Sequence, residues 1–164
     1  ISGMIGQYAH GNEPAHHVPY MYADSGAQYK TASWVRKLQE KFYTDEPDGY
    51  CGNEDCGQMS AWHVMSALGF YQVNPSNGVF VFGSPSFSKA KVNLSNGKTF
   101  TVIAKGNSDK NVYIKSAKLN GKAYQNSYIT YEDIMRGGTL EFVMSSTPNK
   151  NFGKAKQHRP VSAE

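Results

Sequence analysis

The hydrophobic period of this chain changes near residue 75, which confines it to folds with helices first and strands second. Before that point apolar residues recur at helical spacing. Residues 29–42 place Thr31, Val35, Leu38 and Phe42 on one stripe, with Lys30, Lys37 and Lys41 off it. Residues 57–68 put Ala61, Val64, Met65 and Leu68 on one side and Met59 and Trp62 on the other, the pattern of a helix buried nearly all round. Residues 14–22 read as a further helix, opened by Pro14 where a missing N–H costs nothing and cut short or kinked by Pro19. After residue 75 the pattern is β. Val79-Phe80-Val81-Phe82 is an apolar run too short for a helix. Residues 91–103 read as a hairpin, with Val92 and Leu94 before the Ser95-Asn96-Gly97 turn and Phe100 and Val102 after it. Residues 112–117, an Asn120-Gly121 turn and residues 140–144 extend the sheet, and Tyr131 to Met135 make a helical turn. The expected class is α+β: helices over residues 1–75, an antiparallel sandwich-like sheet over 76–150, and a disordered tail over 151–164.

At 164 residues the chain suits one domain, or two small pieces sharing a core. Its net charge of +4 does not form a nucleic-acid footprint, because only three Arg are present and the Lys residues stand singly among Asn, Ser and Gly. No apolar run approaches membrane-spanning length, and no signal peptide opens the chain. The start at Ile1-Ser2-Gly3 leads straight into motif-like sequence, so a piece of a longer protein is expected. Tyr outnumbers Phe, 11 to 8, which suits ring faces that meet sugars and equally suits half-buried strands. Trp34, Trp62, Phe70 and Tyr71 lie at helical spacing and are expected in the core.

Chemistry concentrates in two segments. The first, residues 48–62, reads DGYCGNEDCGQMSAW; five of the 13 acidic residues lie between Asp45 and Asp55. Each such carboxylate loses hydration unless water, a donor or a cation replaces it. Glu54 and Asp55 precede the helix expected from Gly57, whose first amides favour an anion. Asp55 so held suits a general base that activates water; it equally suits a cap on the amides of residues 57–59, or a metal ligand. Cys51 and Cys56 flank the acids and could form a tight disulfide or remain thiols.

The second segment is Tyr8-Ala9-His10-Gly11-Asn12-Glu13-Pro14-Ala15-His16-His17. Its spacing is not that of a zinc protease. Asn12 and Glu13 offer oxygen to a hard cation such as calcium, whereas the histidines would suit zinc; His16 and His17, being adjacent, point apart and do not easily share one ion. A histidine in such a place is also commonly a hydrogen-bonded part of a wall.

The motifs GQYAHGNEPAHHVPYMY and PDGYCGNEDCGQMSAWHVMSALGFYQVNP, with the later YIKSAKLNGK and RGGTLEFVMSSTPN, closely resemble glycoside hydrolase family 92, the calcium-dependent exo-acting α-mannosidases. The resemblance runs from Gly6 to about Gly153 but covers only the last part of such an enzyme. It implies the final helices of an (α/α) six-hairpin barrel followed by a β layer, with the rest of the barrel and an N-terminal β-sandwich as partners in the parent. It further implies hydrolysis of terminal α-mannosides, often α-1,2-linked, on N-glycans or mannans with inversion. Calcium would engage the sugar's hydroxyls and help distort its ring, and the setting would be secreted, periplasmic or cell-surface. By this resemblance Asp55 is the general base, Asn53, Glu54, His16 and His17 border the substrate, and Asn12 and Glu13 serve calcium. Family members often carry Asp two positions before the base, where this chain has Asn53. Inversion also needs an acid across the sugar, with carboxyls roughly 6.5–9.5 Å apart. Glu54 and Asp55 are sequence neighbours with diverging side chains, and the family's acid lies in an earlier segment. The isolated chain is therefore expected to be inactive, and with its helices uncovered either to form a homodimer or to survive through its β half. The competing expectation is a non-catalytic carbohydrate-binding or structural module.

Overall fold

The computed structural model describes residues 2–160. Strands β1 (Met4–Ile5) and β2 (Tyr8–Ala9) form a small hairpin, followed by 3-10 turns at Glu13–Ala15 and Val18–Tyr20. Helices α1 (Gln28–Phe42) and α2 (Gln58–Leu68) come next. The remainder comprises β3 (Phe70–Asn74), β4 (Val79–Phe82), β5 (Lys89–Asn93), β6 (Thr99–Lys105), β7 (Tyr113–Leu119), β8 (Lys122–Tyr124), β9 (Tyr128–Thr130), the short helix α3 (Tyr131–Met135) and β10 (Gly138–Ser145).

Two sheets follow from these strands, one in the order β5-β6-β10-β7-β8 and the other β3-β4-β9. Every pairing is antiparallel except β6 with β10, so the larger sheet is mixed where a purely antiparallel one was expected. The chain reaches β10 only after β7, β8, β9 and α3, a connection long enough to bring it back parallel to β6. Strand β4 joins the halves of the molecule. Alternate side chains point to opposite faces of a strand. Phe82 lies in an apolar cluster with Phe100, Leu140, Phe142 and Ile129 from the two sheets, whereas Val81 lies with Tyr20, Val35, Leu38 and Trp62 among the helices. Phe82 meets Phe142 edge-on at 5.0 Å between ring centroids.

Helix α1 buries the stripe expected of it, Thr31, Val35 and Leu38, with Lys30, Lys37 and Lys41 outside. Helix α2 departs from expectation. Met59, Trp62 and Ser66 are buried and Met65 and Leu68 pack partly on the sheet cluster, but Ala61 is exposed and Val64 is 57% exposed. This helix therefore buries one face only. The expected helix over residues 14–22 is two 3-10 turns instead, because Pro14 and Pro19 each remove an amide and restart the geometry. Phe70 to Asn74, read as part of the helical half, forms β3.

The expected disorder after residue 151 does not hold through Pro160. Phe152 sits in the sheet cluster, and Ser127 donates its backbone N–H and its hydroxyl to the carbonyl of His158 at 2.8 and 3.0 Å. Residues 161–164 of that tail lie outside the described residues. Cys51 and Cys56 are free thiols. No described helix is long and apolar enough to cross a membrane.

Candidate active site

The two chemistry-bearing segments come together at the N-terminal end of α2. The turn before this helix runs through three successive left-handed residues, Asp55 (φ 50°), Cys56 (φ 58°) and Gly57 (φ 95°). Only the glycine adopts that region without cost, so Asp55 and Cys56 are held there by their surroundings, as is common where a side chain must be aimed. The segment of residues 8–17 packs against the loop before this turn through glycines, Gly11 on one side and Gly52 on the other. A Cβ on Gly11 would lie 3.1 Å from the carbonyl oxygen of Cys51, and one on Gly52 would lie 3.3 Å from Gly11 Cα. Backbone approach this close needs the missing side chains.

Glu54 and Asp55 diverge, as expected for neighbours. The Glu54 carboxylate accepts from the backbone N–H of Ser60 at 3.1 Å and from its hydroxyl at 2.8 Å, and it hydrogen-bonds Tyr50. The Ser60 hydroxyl, first, and Tyr50 hold it below the usual carboxylate range. Glu54 thus supplies the side-chain cap of α2 that the sequence also allowed for Asp55. The Asp55 carboxyl instead lies beside that of Glu13. That proximity pushes the Asp55 carboxyl up and the Glu13 carboxyl down from the usual carboxylate range.

Beneath the pair lies a buried polar network. His10 is fully buried, with Nδ1 2.8 Å from the Tyr8 hydroxyl and Nε2 2.8 Å from the Tyr43 hydroxyl. Tyr43 donates its own proton to the Met59 carbonyl at 3.2 Å, so it accepts from His10 Nε2–H, and Tyr8 donates to Nδ1. Burial, then the neighbouring His16 and His63, lower the His10 pKa to about 3, which keeps it neutral. His16 is equally committed. Its Nε2–H donates to the His10 carbonyl at 2.9 Å, Nδ1 accepts from the Gln58 amide at 3.0 Å, and its own carbonyl accepts from Trp62 Nε1–H at 3.1 Å. Gln58 gives its other amide hydrogen to the Tyr71 hydroxyl at 3.0 Å.

Of the residues singled out from sequence, Glu13 and Asp55 meet directly. Asn12 adjoins them on an exposed turn, and Asn53 and His17 are also exposed. His16 is a correction to its expected place beside a substrate: it is 1% exposed and both ring nitrogens are used inside the protein. Glu54 likewise spends its carboxylate on Ser60 and Tyr50. Sequence reasoning gave Gln58 and Tyr43 no role at the site and read Tyr71 only as core. Gln58 stands three positions after Asp55 as His16 stands three after Glu13, a parallel spacing visible in the sequence but meaningless until the turns are seen together.

For a metal, the exposed donors at this place are oxygens: the Asn12 amide and the Glu13 and Asp55 carboxylates. Facing carboxylates repel unless a proton or a cation lies between them, and oxygen donors suit calcium. The imidazoles that zinc would need at His10 and His16 are hydrogen-bonded away. Among the described residues, no three His, Cys, Asp or Glu side chains gather as a metal cluster. On the far side of Glu54, an open groove of about 680 Å³ is lined by Tyr43, Tyr50, Ser60 and His63 with Asp45 and Glu46.

Comparison with known proteins identifies the family of the chain. The model of the glycosyl hydrolase family 92 catalytic domain matches residues 1–146. The structure of the family GH92 α-mannosidase BT3965 from Bacteroides thetaiotaomicron superposes with a TM-score of 0.95 at 44% identity, covering 98% of this chain and 22% of that one. The family GH92 inverting mannosidase BT2199 of the same organism gives a TM-score of 0.90 at 42% identity over 96% of this chain and 21% of its own. A protein of Arthroderma benhamiae described as an uncharacterized secreted glycosidase is 31% identical over 93% of this chain and 20% of its own length. The chain thus spans about a fifth of the length of the relatives it matches. With the family model covering most of its length, the chain belongs to glycosyl hydrolase family 92.

Proposed function

We propose that this chain is the C-terminal portion of an inverting, calcium-assisted exo-α-mannosidase, and that Asp55 is its general base. The observation that carries the reading is the contact between Asp55 and Glu13 on a turn of left-handed residues, with Glu54 turned away to cap α2. Asp55 keeps an exposed carboxylate while Glu54 is spent on Ser60, so Asp55 is the acid of this loop placed to take a proton from water. BT3965 has been solved in complex with mannoimidazole, and a mannose-like ring is the ligand expected here.

Glu13 and Asn12 would contribute oxygens to calcium, with the remaining ligands drawn from sugar, water or the parent. Calcium would supply positive charge to the sugar's hydroxyls and offset the repulsion between Glu13 and Asp55. This chain's residues aim the base and fix the floor beneath it: the His10 and His16 network, neutral and fully bonded, keeps both turns in place without adding charge. Exposed His17 and Asn53 border the place where sugar would lie.

The general acid belongs to the part of the parent outside this chain. Glu54 is the acid nearest in sequence, and it is an ionised cap held below the usual carboxylate range. The isolated chain therefore hydrolyses nothing. Incubating it with α-1,2-mannobiose and calcium tests this, and released mannose would contradict it. The parent would cover the uncovered apolar side chains of this piece, Val18, Met21, Tyr22 and Val64. Alone, the chain pairs through such surface as a homodimer, and light scattering reads its mass. A secreted setting follows the description of the Arthroderma benhamiae relative.

A further inference from the structure

The two acid-bearing turns are joined by a second tie, three residues after each acid. Glu13 meets Asp55, and His16 meets Gln58 at 3.0 Å. Among the described residues no backbone hydrogen bond joins residues 12–17 to residues 53–58; each turn is closed only on itself, by His16 N–H to the Glu13 carbonyl and by Gln58 N–H to the Asp55 carbonyl. The relation between the turns is thus left to side chains.

We propose that His16 and Gln58 are positioning residues, whose hydrogen bond is the strut that sets the Glu13 turn against the Asp55 turn. The proposal rests on the reading of Asp55 as the base. The strut has one allowed polarity. The His10 carbonyl can only accept, so His16 carries its hydrogen on Nε2 and presents a bare Nδ1 to Gln58. The Gln58 amide nitrogen has two hydrogens, one for His16 and one for Tyr71, and its carboxamide cannot turn over without setting its oxygen against the bare His16 Nδ1 and losing that bond. Trp62, one helical turn after Gln58, grips the His16 carbonyl and fixes the same turn from behind. Each end of the strut is thus anchored independently of the carboxyl pair it spaces. A shift of about 1 Å at a reacting group can cost on the order of 100-fold in rate, so a strut of this kind acts on turnover.

The test uses the full-length parent enzyme carrying Gln58→Met, His16→Leu, both together, and His16→Asn, with α-1,2-mannobiose as substrate. Gln58→Met should lower kcat about 10- to 100-fold with little change in KM, and a crystal structure should show the Glu13–Asp55 contact opened. His16→Leu should lose as much, and the double variant no more than the larger single loss, because both act through one bond. His16→Asn, whose side-chain oxygen can occupy the place of Nδ1, should recover most of the loss. If His16→Leu does not fold, the half-buried Gln58→Met decides alone. Losses that multiply in the double variant, or an unchanged kcat with only a lowered Tm, overturn the strut. Asp55→Asn measured alongside separates the two readings. Full activity in it removes the base and the strut together, whereas a dead Asp55→Asn beside fully active strut variants removes the strut alone.

Discussion

Asp55 and Glu13, drawn from segments far apart in sequence, meet carboxyl to carboxyl and shift each other's titration in opposite directions. A cation at the pair would offset the repulsion between two ionised carboxylates. In the parent enzyme, chelation of calcium should lower kcat/KM and added calcium should restore it. Glu13→Gln should weaken calcium binding about 10- to 100-fold, as loss of a ligand or its support commonly does, read by titration calorimetry. Undiminished binding would remove Glu13 from the calcium shell.

The order of helices and strands could be read in the sequence because hydrophobic period is a local property. Val79–Phe82 and the hairpin around Asn96-Gly97 stand where period and turn chemistry put them. What could not be read was set by partners distant in the chain. β10 lies parallel to β6 because of the path through β9 and α3, and nothing in residues 138–145 encodes that direction. Ala61 and Val64 read as buried because an apolar residue looks the same whether this chain or a larger parent covers it. At the site, the acids and the NEP turn stood out through crowding and through family resemblance. The division between Glu54 as cap and Asp55 as partner of Glu13 depends on left-handed backbone at residues 55–57, which composition does not announce.

His10 makes stability depend on pH. In the folded protein it stays neutral down to about pH 3, whereas an unfolded histidine protonates near 6.5. The unfolded chain therefore holds the extra proton between those values, and folding stability falls as pH drops through that window, by up to about 1.4 kcal/mol per pH unit for this residue. Urea unfolding from pH 7 to pH 4 should show the slope, and His10→Gln should flatten it. An unaltered slope in the variant would place the effect elsewhere.

Arg36 fastens α1 to the loops of the β half. Its buried guanidinium donates to the Pro85 carbonyl, to Asn107 Oδ1 at 2.7 Å, to Ser84 Oγ at 3.3 Å and to the Ser108 carbonyl at 3.4 Å. Arg36→Met leaves those acceptors unpaired and should cost about 2–4 kcal/mol in urea unfolding. Arg36→Lys should recover less than half, because a point charge cannot fork between loops. A loss below about 0.5 kcal/mol, the size expected of a surface change, would contradict this.

Phe152 makes the end of the described chain part of the core. Phe152→Ala should destabilise the protein by about 3–5 kcal/mol, the usual cost of emptying an aromatic site. A change within about 0.5 kcal/mol would mean the segment contributes no packing.

The central claim is that Asp55 activates the water that attacks the sugar. Asp55→Asn in the full-length parent keeps the shape of the side chain and removes the base. With α-1,2-mannobiose and saturating calcium, kcat should fall by about 10²- to 10⁴-fold while KM changes little. An unchanged kcat would contradict the assignment.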